Sequence, residues 1–184
     1  MLYYRKGLIN VKRKIILNLA MSLDGYIADE AGGYEWIIGD GDATLDTDKK
    51  WSHESFLNQI DLVVMGKRCY EQKMHLEFPK KKVYVATSES LSDFDNIHFI
   101  NGNISEILKE EKQKSGKNIY LFGGGQTIDA LIKSDMIDEY IIGIIPTILG
   151  KGRPLFLGNS PMIKLHLEEY YIESGITILK YSKR

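Results

Sequence analysis

The chain has 184 residues, with 24 basic and 25 acidic side chains and a net charge of −1. That length fits one domain with a sizeable core, and the near-balance of charge excludes a bulk field that would draw nucleic acid or an anionic membrane. A single cysteine, Cys69, excludes an internal disulfide and is the usage expected of a reducing cytoplasm, and no apolar run is long enough to span a bilayer.

Met1–Lys14 is basic and carries tyrosines, but it lacks the apolar core of a signal peptide. Residues 1–13 read as an extension and 14–184 as one domain. Lys14–Ala20, rich in Ile and Leu, reads as a central strand. Met21–Ala28 turns through Asp24–Gly25. Asp29–Asp48 is rich in Gly and Asp and reads as a long loop, a candidate lid or substrate loop. Thr47 or Asp48 is placed to cap a helix running to Gln59. Asp61–Met65 reads as a second strand ending at Gly66, and Gly66–Gln72 as a turn into a short helix. Lys82–Ala86 and Ile97–Ile100 follow as strands, and Ser105–Lys114 as a charged surface helix.

Asn118–Phe122 is the next predicted strand. Gly123, Gly124 and Gly125 follow it, then Gln126, Thr127 and an amphipathic helix. Glycines let the backbone turn sharply and let a ligand approach, and the first N–H groups of a helix lack internal partners. A strand, a bare turn and a helix start make an anion site, most often for phosphate. The pattern is not the dinucleotide fingerprint, because Ile128 stands where a third glycine belongs, and no Walker lysine follows. The competing reading is a tight turn where strand and helix pack closely. Asp138–Ile145 is a long apolar strand ended by Pro146. Ile163–Ile172 and Gly175–Tyr181 alternate like a closing hairpin around Glu173–Ser174–Gly175. Alternating strands and helices with a terminal antiparallel pair predict an α/β domain with a mixed, mostly parallel sheet.

Three segments resemble one family. They are Ala20–Met21–Ser22–Leu23–Asp24–Gly25–Tyr26–Ile27–Ala28, Val64–Met65–Gly66–Lys67–Arg68–Cys69–Tyr70, and the glycine loop with Met136–Tyr140 and Pro146–Phe156 behind it. Their order and spacing resemble the dihydrofolate-reductase-like superfamily. The nearest branch is the reductase domain of the riboflavin-biosynthesis deaminase–reductase and its stand-alone relatives. The resemblance implies that superfamily's three-layer fold, NADPH as hydride donor, a small heterocyclic substrate and a homodimer.

The resemblance also implies site residues. Met21 matches a position lining the nicotinamide, and Trp36 a tryptophan that contacts cofactor. Gly123, Gly124, Gly125, Gln126 and Thr127 match the pyrophosphate loop. Gly66, Lys67 and Arg68 match the turn holding the adenosine end, where an Arg fork and a Lys point charge suit a 2′-phosphate. Thr87 and Ser88 add hydroxyl donors. Two departures stand out. Phe122 occupies the position where riboflavin reductases carry an acidic residue, and Glu71–Phe78 lacks their Asp-Asp-Pro segment. The zinc signature of the deaminase half is absent as well.

Hydride transfer to C=N or C=O needs a carboxylate to orient substrate or relay a proton. Asp48, three residues before Trp51, resembles the acid that meets pterin in dihydrofolate reductases, and its other reading is a plain helix cap. By the same resemblance Asp24 lies beside the nicotinamide, and its other reading is a turn-forming Asp-Gly pair. His53, His75, His98 and His166 are scattered without ligand spacing, so no metal is expected. The expected function is an NADPH-dependent reductase resembling 5-amino-6-(5-phosphoribosylamino)uracil reductase. The alternatives are a dihydrofolate or pterin reductase and a non-catalytic NADPH-binding sensor or scaffold.

Overall fold

The computed structural model describes residues 12–184. The strands are β1 (Ile15–Ser22), β2 (Tyr26–Ala28), β3 (Ile60–Gly66), β4 (Lys82–Thr87), β5 (Ile97–Asn101), β6 (Asn118–Gly123), β7 (Glu139–Ile145), β8 (Arg153–Pro154), β9 (Leu165–Glu173) and β10 (Ile176–Lys183). The helices are α1 (His53–Leu57), α2 (Lys67–Glu71), α3 (Ile104–Glu111) and α4 (Gly125–Lys133), with a 3-10 turn at Met74–Glu77. Eight strands form one sheet in the order β5-β4-β3-β6-β1-β7-β10-β9. The first six run parallel, and β10 pairs antiparallel with both β7 and β9. This is the mixed, mostly parallel sheet of a dihydrofolate-reductase-like α/β fold, with the expected C-terminal hairpin.

Strand side chains alternate between faces, and here both faces are covered. Ile15, Leu17, Val64 and Leu121 pack with Leu108 of α3 and Ile128 and Leu131 of α4. Ile16, Val63, Met65 and Tyr120 face the other way and pack with Phe56 of α1 and Phe78. The result is three layers.

The helix expected from Asp48 to Gln59 is much shorter. It spans His53–Leu57 and is capped by Ser52, whose hydroxyl accepts the Ser55 N–H at 3.1 Å. The residues before it are committed elsewhere. Thr47 N–H donates to Ile172 O at 3.0 Å, and Ile172 N–H donates back to Thr47 Oγ1 at 3.0 Å. Asp46 accepts the Ser174 N–H at 2.7 Å. Trp51 then packs against Tyr171 and Phe56. Backbone bonded along β9 cannot also wind into a helix, so Asp48 caps nothing.

The N-terminal boundary also moves. Arg13 is 5% exposed. It is ion-paired with Asp61 and Glu111, and it donates to Lys117 O at 2.6 Å. It therefore belongs to the domain; residues 1–11 of the expected extension lie outside the described residues.

Candidate active site

A cavity of about 530 Å³ opens at the C-terminal ends of β1 and β6, on the face that carries α1 and α2. Asn18 and Ala20 of β1 and Tyr120 and Phe122 of β6 line its floor. Arg68, Cys69 and Gln72 of α2 and its flank, with Met74 and Glu77 of the 3-10 turn, form one wall. Tyr34 and Ile37 form another, and Gly123–Gln126 the end. Ends of parallel strands are the usual place for ligands in such sheets, because the loops there diverge.

The glycine end of the cavity is the open start of α4. Gly124 caps α4 without a side chain, and the first intrahelical bond runs from Ile128 N–H to Gly124 O at 3.0 Å. The N–H groups before Ile128 therefore have no partner within the helix, and no acidic residue lies in its first turn. Gly124 sits at φ 91°. A Cβ there would stand 3.2 Å from the Gly66 nitrogen and Cα. At Gly125 a Cβ would meet only Pro154 O at 3.5 Å and Leu157 at 3.8 Å. The two glycines thus differ: Gly124 allows β3 and β6 to end in contact, while Gly125 keeps the cavity open.

Arg153 reaches the cavity through a pairing absent from the sequence reading. β2 and β8 form a two-stranded ribbon, with Ala28 opposite Arg153. The guanidinium lies against Gly32 and donates to Ala31 O at 3.3 Å. Gln72 donates to Gly32 O at 3.1 Å. The first half of the long loop is thus held over the cavity. Its second half is tied to the β9–β10 turn, where Asp40 N–H donates to Ser174 O at 2.9 Å.

Of the expected site residues, the structure brings Arg68, Gly123, Gly124, Gly125 and Gln126 together around this cavity. Gly66 and the buried Thr127 stand directly behind Gly124. Lys67 begins α2, and Thr87 and Ser88 end or follow β4, all outside the cavity wall. Trp36 donates to Gly33 O at 3.2 Å, while its neighbours Tyr34 and Ile37 line the cavity.

Met21 lies elsewhere. It lines a second, mostly apolar hollow of about 410 Å³ with Ile142, Ile144 and Leu179, on the opposite face of the sheet. Strand alternation is the reason: the Ala20 side chain faces the cavity, and the Met21 side chain, next along β1, points to the opposite face. Asp48 is exposed and outside the cavity. Asp24 is also outside it. Its carboxylate accepts from Ser22 Oγ at 2.6 Å, Leu149 N–H at 3.1 Å and Gly150 N–H at 2.8 Å. Those hydrogen bonds, Ser22 foremost, hold its pKa below the usual carboxylate range.

The sequence of residues 44–177 matches the family described as the RibD C-terminal domain. The chain belongs to that family. It is 34% identical to the uncharacterized protein YyaP of Bacillus subtilis (strain 168), covering 92% of this chain and 95% of that one. It is 35% identical to YwjB of the same organism, over 86% and 91%. A putative riboflavin biosynthesis protein from Shewanella sp. PV-4 superposes with a TM-score of 0.79 at 25% identity, covering 93% of this chain and 99% of that one. The dihydrofolate reductase of Enterococcus faecalis, solved with NADP(H), shares the fold at a TM-score of 0.59 and 15% identity, over 93% and 96%.

In this RibD C-terminal domain, sequence reasoning passed over Asn18, Tyr34, Glu77 and Arg153. Glu77 is the sole carboxylate among the described residues lining the cavity. It stands beside Tyr120, whose pKa is raised first by burial and then by Glu77. Asn18 is 9% exposed and lines the cavity from β1. The signal for Asn18 was present: it is the one polar residue in Ile15–Ala20. Glu77 gave none, since it sits on an irregular turn. Cys69 also lines the cavity, and burial raises its thiol pKa. Among the described residues no helix is long and apolar enough to cross a membrane.

Proposed function

We propose that this protein is an NADPH-dependent reductase of a small heterocycle, either a phosphoribosyl-aminopyrimidine or a pterin. One observation carries the reading. The open N-terminus of α4, the glycine turn and Arg68 converge with β1 and an aromatic floor on a single cavity. The residues fit a dinucleotide, because the unpartnered N–H groups and Arg68 are anion donors and Gly125 leaves room for close approach. When bound, the reduced nicotinamide supplies a hydride.

The chain's own residues do the rest. Gly125 and Gln126 present backbone donors to the pyrophosphate, and Arg68 adds charge. Tyr120 and Phe122 give the heterocycle a flat wall and exclude water from it. Asn18 and Glu77 recognise its polar edge. The carboxylate accepts N–H donors, and the amide offers both a donor and an acceptor. Glu77 thereby takes the substrate-orienting role that the sequence assigned to Asp48 or Asp24.

The test is NADPH oxidation followed by absorbance, with pterins, folates and 5-amino-6-(5-phosphoribosylamino)uracil as substrates. Turnover with one of these, lost in Glu77→Gln, supports the reading. NADPH binding without turnover on any of them would favour a sensor or scaffold.

A further inference from the structure

Arg153 brings a second guanidinium to a cavity that already holds Arg68, and Glu77 is the only opposite charge among the described lining residues. The two arginines come from elements far apart in the chain, β8 and α2. Arg153 stands at the glycine end. Its strand neighbour Pro154 abuts the start of α4, where a Cβ on Gly125 would lie 3.5 Å from Pro154 O. Its charge also reaches the α2 wall. Burial raises the Cys69 thiol pKa, and the Gly66 backbone and then the Arg153 charge oppose that rise.

The guanidinium is seated on a glycine. A Cβ on Gly32 would stand 2.8 Å from both Arg153 Nη atoms and 2.9 Å from Cζ. Distances so nearly equal mean that the group turns its broad face to Gly32, which holds φ 97°. Guanidinium N–H bonds lie in the plane of the group, so face-on packing leaves them pointing past the turn rather than into it. One makes a long hydrogen bond to Ala31 O, 3.3 Å away. The carboxylates of the turn are committed elsewhere. Asp29 accepts the Gly32 and Gly33 N–H groups at 2.7 and 2.8 Å, and Glu30 pairs with Lys151 at 2.7 Å. Gln72 holds the turn from the α2 side through Gly32 O at 3.1 Å. An arginine with five donors, one long hydrogen bond to the turn and a cavity of net positive charge before it is arranged to meet an anion.

We propose that Arg153 is a phosphate-binding residue of this cavity, seated on Gly32 so that its N–H fork meets an anionic group at the Gly125 end. The proposal rests on the reading of the cavity as a dinucleotide site. It makes the bound group a diphosphate shared between Arg153 and Arg68, and it makes Gly32 a positioning residue, because any side chain there would displace the fork.

The experiment titrates inorganic pyrophosphate, ADP and adenosine by calorimetry, and NADPH by nicotinamide fluorescence. The proteins are the full chain and its Arg153→Gln, Arg153→Lys, Gly32→Ala and Arg153→Gln/Gly32→Ala variants, with melting curves to check that each is folded. Arg153→Gln should weaken pyrophosphate, ADP and NADPH by about tenfold, the low end for a charge-assisted hydrogen bond, and leave adenosine unchanged. Arg153→Lys keeps the charge without the fork and should lose less. The salt dependence of pyrophosphate binding should flatten in Arg153→Gln. Gly32→Ala should weaken the same three ligands, and should add nothing in the Arg153→Gln background. Unchanged pyrophosphate binding in Arg153→Gln overturns the proposal, as does an equal loss for ADP and adenosine, which would leave Arg153 only holding the turn. A further loss from Gly32→Ala in the Arg153→Gln background overturns the role given to Gly32. If the wild type binds pyrophosphate through Arg153 but not NADPH, the dinucleotide reading alone fails. If it binds NADPH and Arg153→Gln leaves that affinity intact, only this assignment falls, and if it binds no phosphate ligand both fall.

Discussion

Gly66 and Gly124 meet backbone to backbone. A Cβ on Gly124 would stand 3.2 Å from the Gly66 nitrogen and Cα, and Gly124 holds φ 91°. The ends of β3 and β6 close on each other because neither residue has a side chain, and the α4 N-terminus is aimed by that contact.

Gly124 and Gly125 should therefore separate fold from binding. Gly124→Ala meets both a left-handed backbone and the Gly66 wall, and should cost about 1–3 kcal/mol of stability. Gly125→Ala meets only ordinary contacts and should melt near wild type while NADPH affinity drops severalfold. Denaturation curves and NADPH titrations on both variants check this. Equal stability loss in the two would show that the whole loop serves packing.

Asp24 should matter for stability rather than turnover. It ties the Ser22–Gly25 turn to Leu149 and Gly150. Its folded pKa lies below the usual value. The stability it gives is therefore present above the unfolded pKa of about 3.9 and is lost as pH falls through the folded one. Asp24→Asn should lower Tm at neutral pH, and the gap to wild type should close below about pH 4. Melting temperatures across an acid pH series measure it, and a gap that widens in acid would contradict this account.

Glu77 and Asp48 make opposite predictions. Glu77→Gln keeps size but loses acceptor capacity, and should raise KM for the heterocycle while leaving NADPH affinity unchanged. Losing a hydrogen bond to a charged group costs about 1.5–3 kcal/mol, roughly 10- to 150-fold in affinity. Asp48→Asn, at an exposed position outside the cavity, should leave both constants near wild type. Steady-state kinetics with the substrate found by the screen decides between them.

Arg13 should be among the costliest charges to remove. It is 5% exposed and bridges Asp61 and Glu111, the latter also accepting from the Tyr84 hydroxyl at 2.8 Å. Arg13→Ala leaves the Lys117 carbonyl and one side of Glu111 without their donor, while Glu111 keeps Lys114 at 2.6 Å and Tyr84, and should cost about 1–3 kcal/mol. Urea unfolding reads this directly.

Much of the fold was legible in the chain itself. The apolar runs at Ile15–Ala20, Leu62–Met65, Val83–Val85, Ile119–Leu121 and Tyr140–Ile145 mark central strands, since a parallel sheet covered on both faces needs continuous apolar runs. The Gly123–Gly125 turn at the end of the cavity was legible too, because strand, glycines and helix start are adjacent in sequence. What depended on distant residues was not legible. The helix expected at Asp48 is shortened by hydrogen bonds from Thr47 to Ile172, 125 residues away. Arg153 enters the cavity through a two-stranded ribbon with Tyr26–Ala28, and Glu77 through a turn with no periodic signature. Met21 and Ala20 differ only by strand parity, and which one faces the cavity is set by how β1 sits between β6 and β7. Local pattern determines the elements, because each must bury its own apolar face. The polar lining of the site is decided by tertiary pairing, because it is assembled from elements that meet only when the sheet closes.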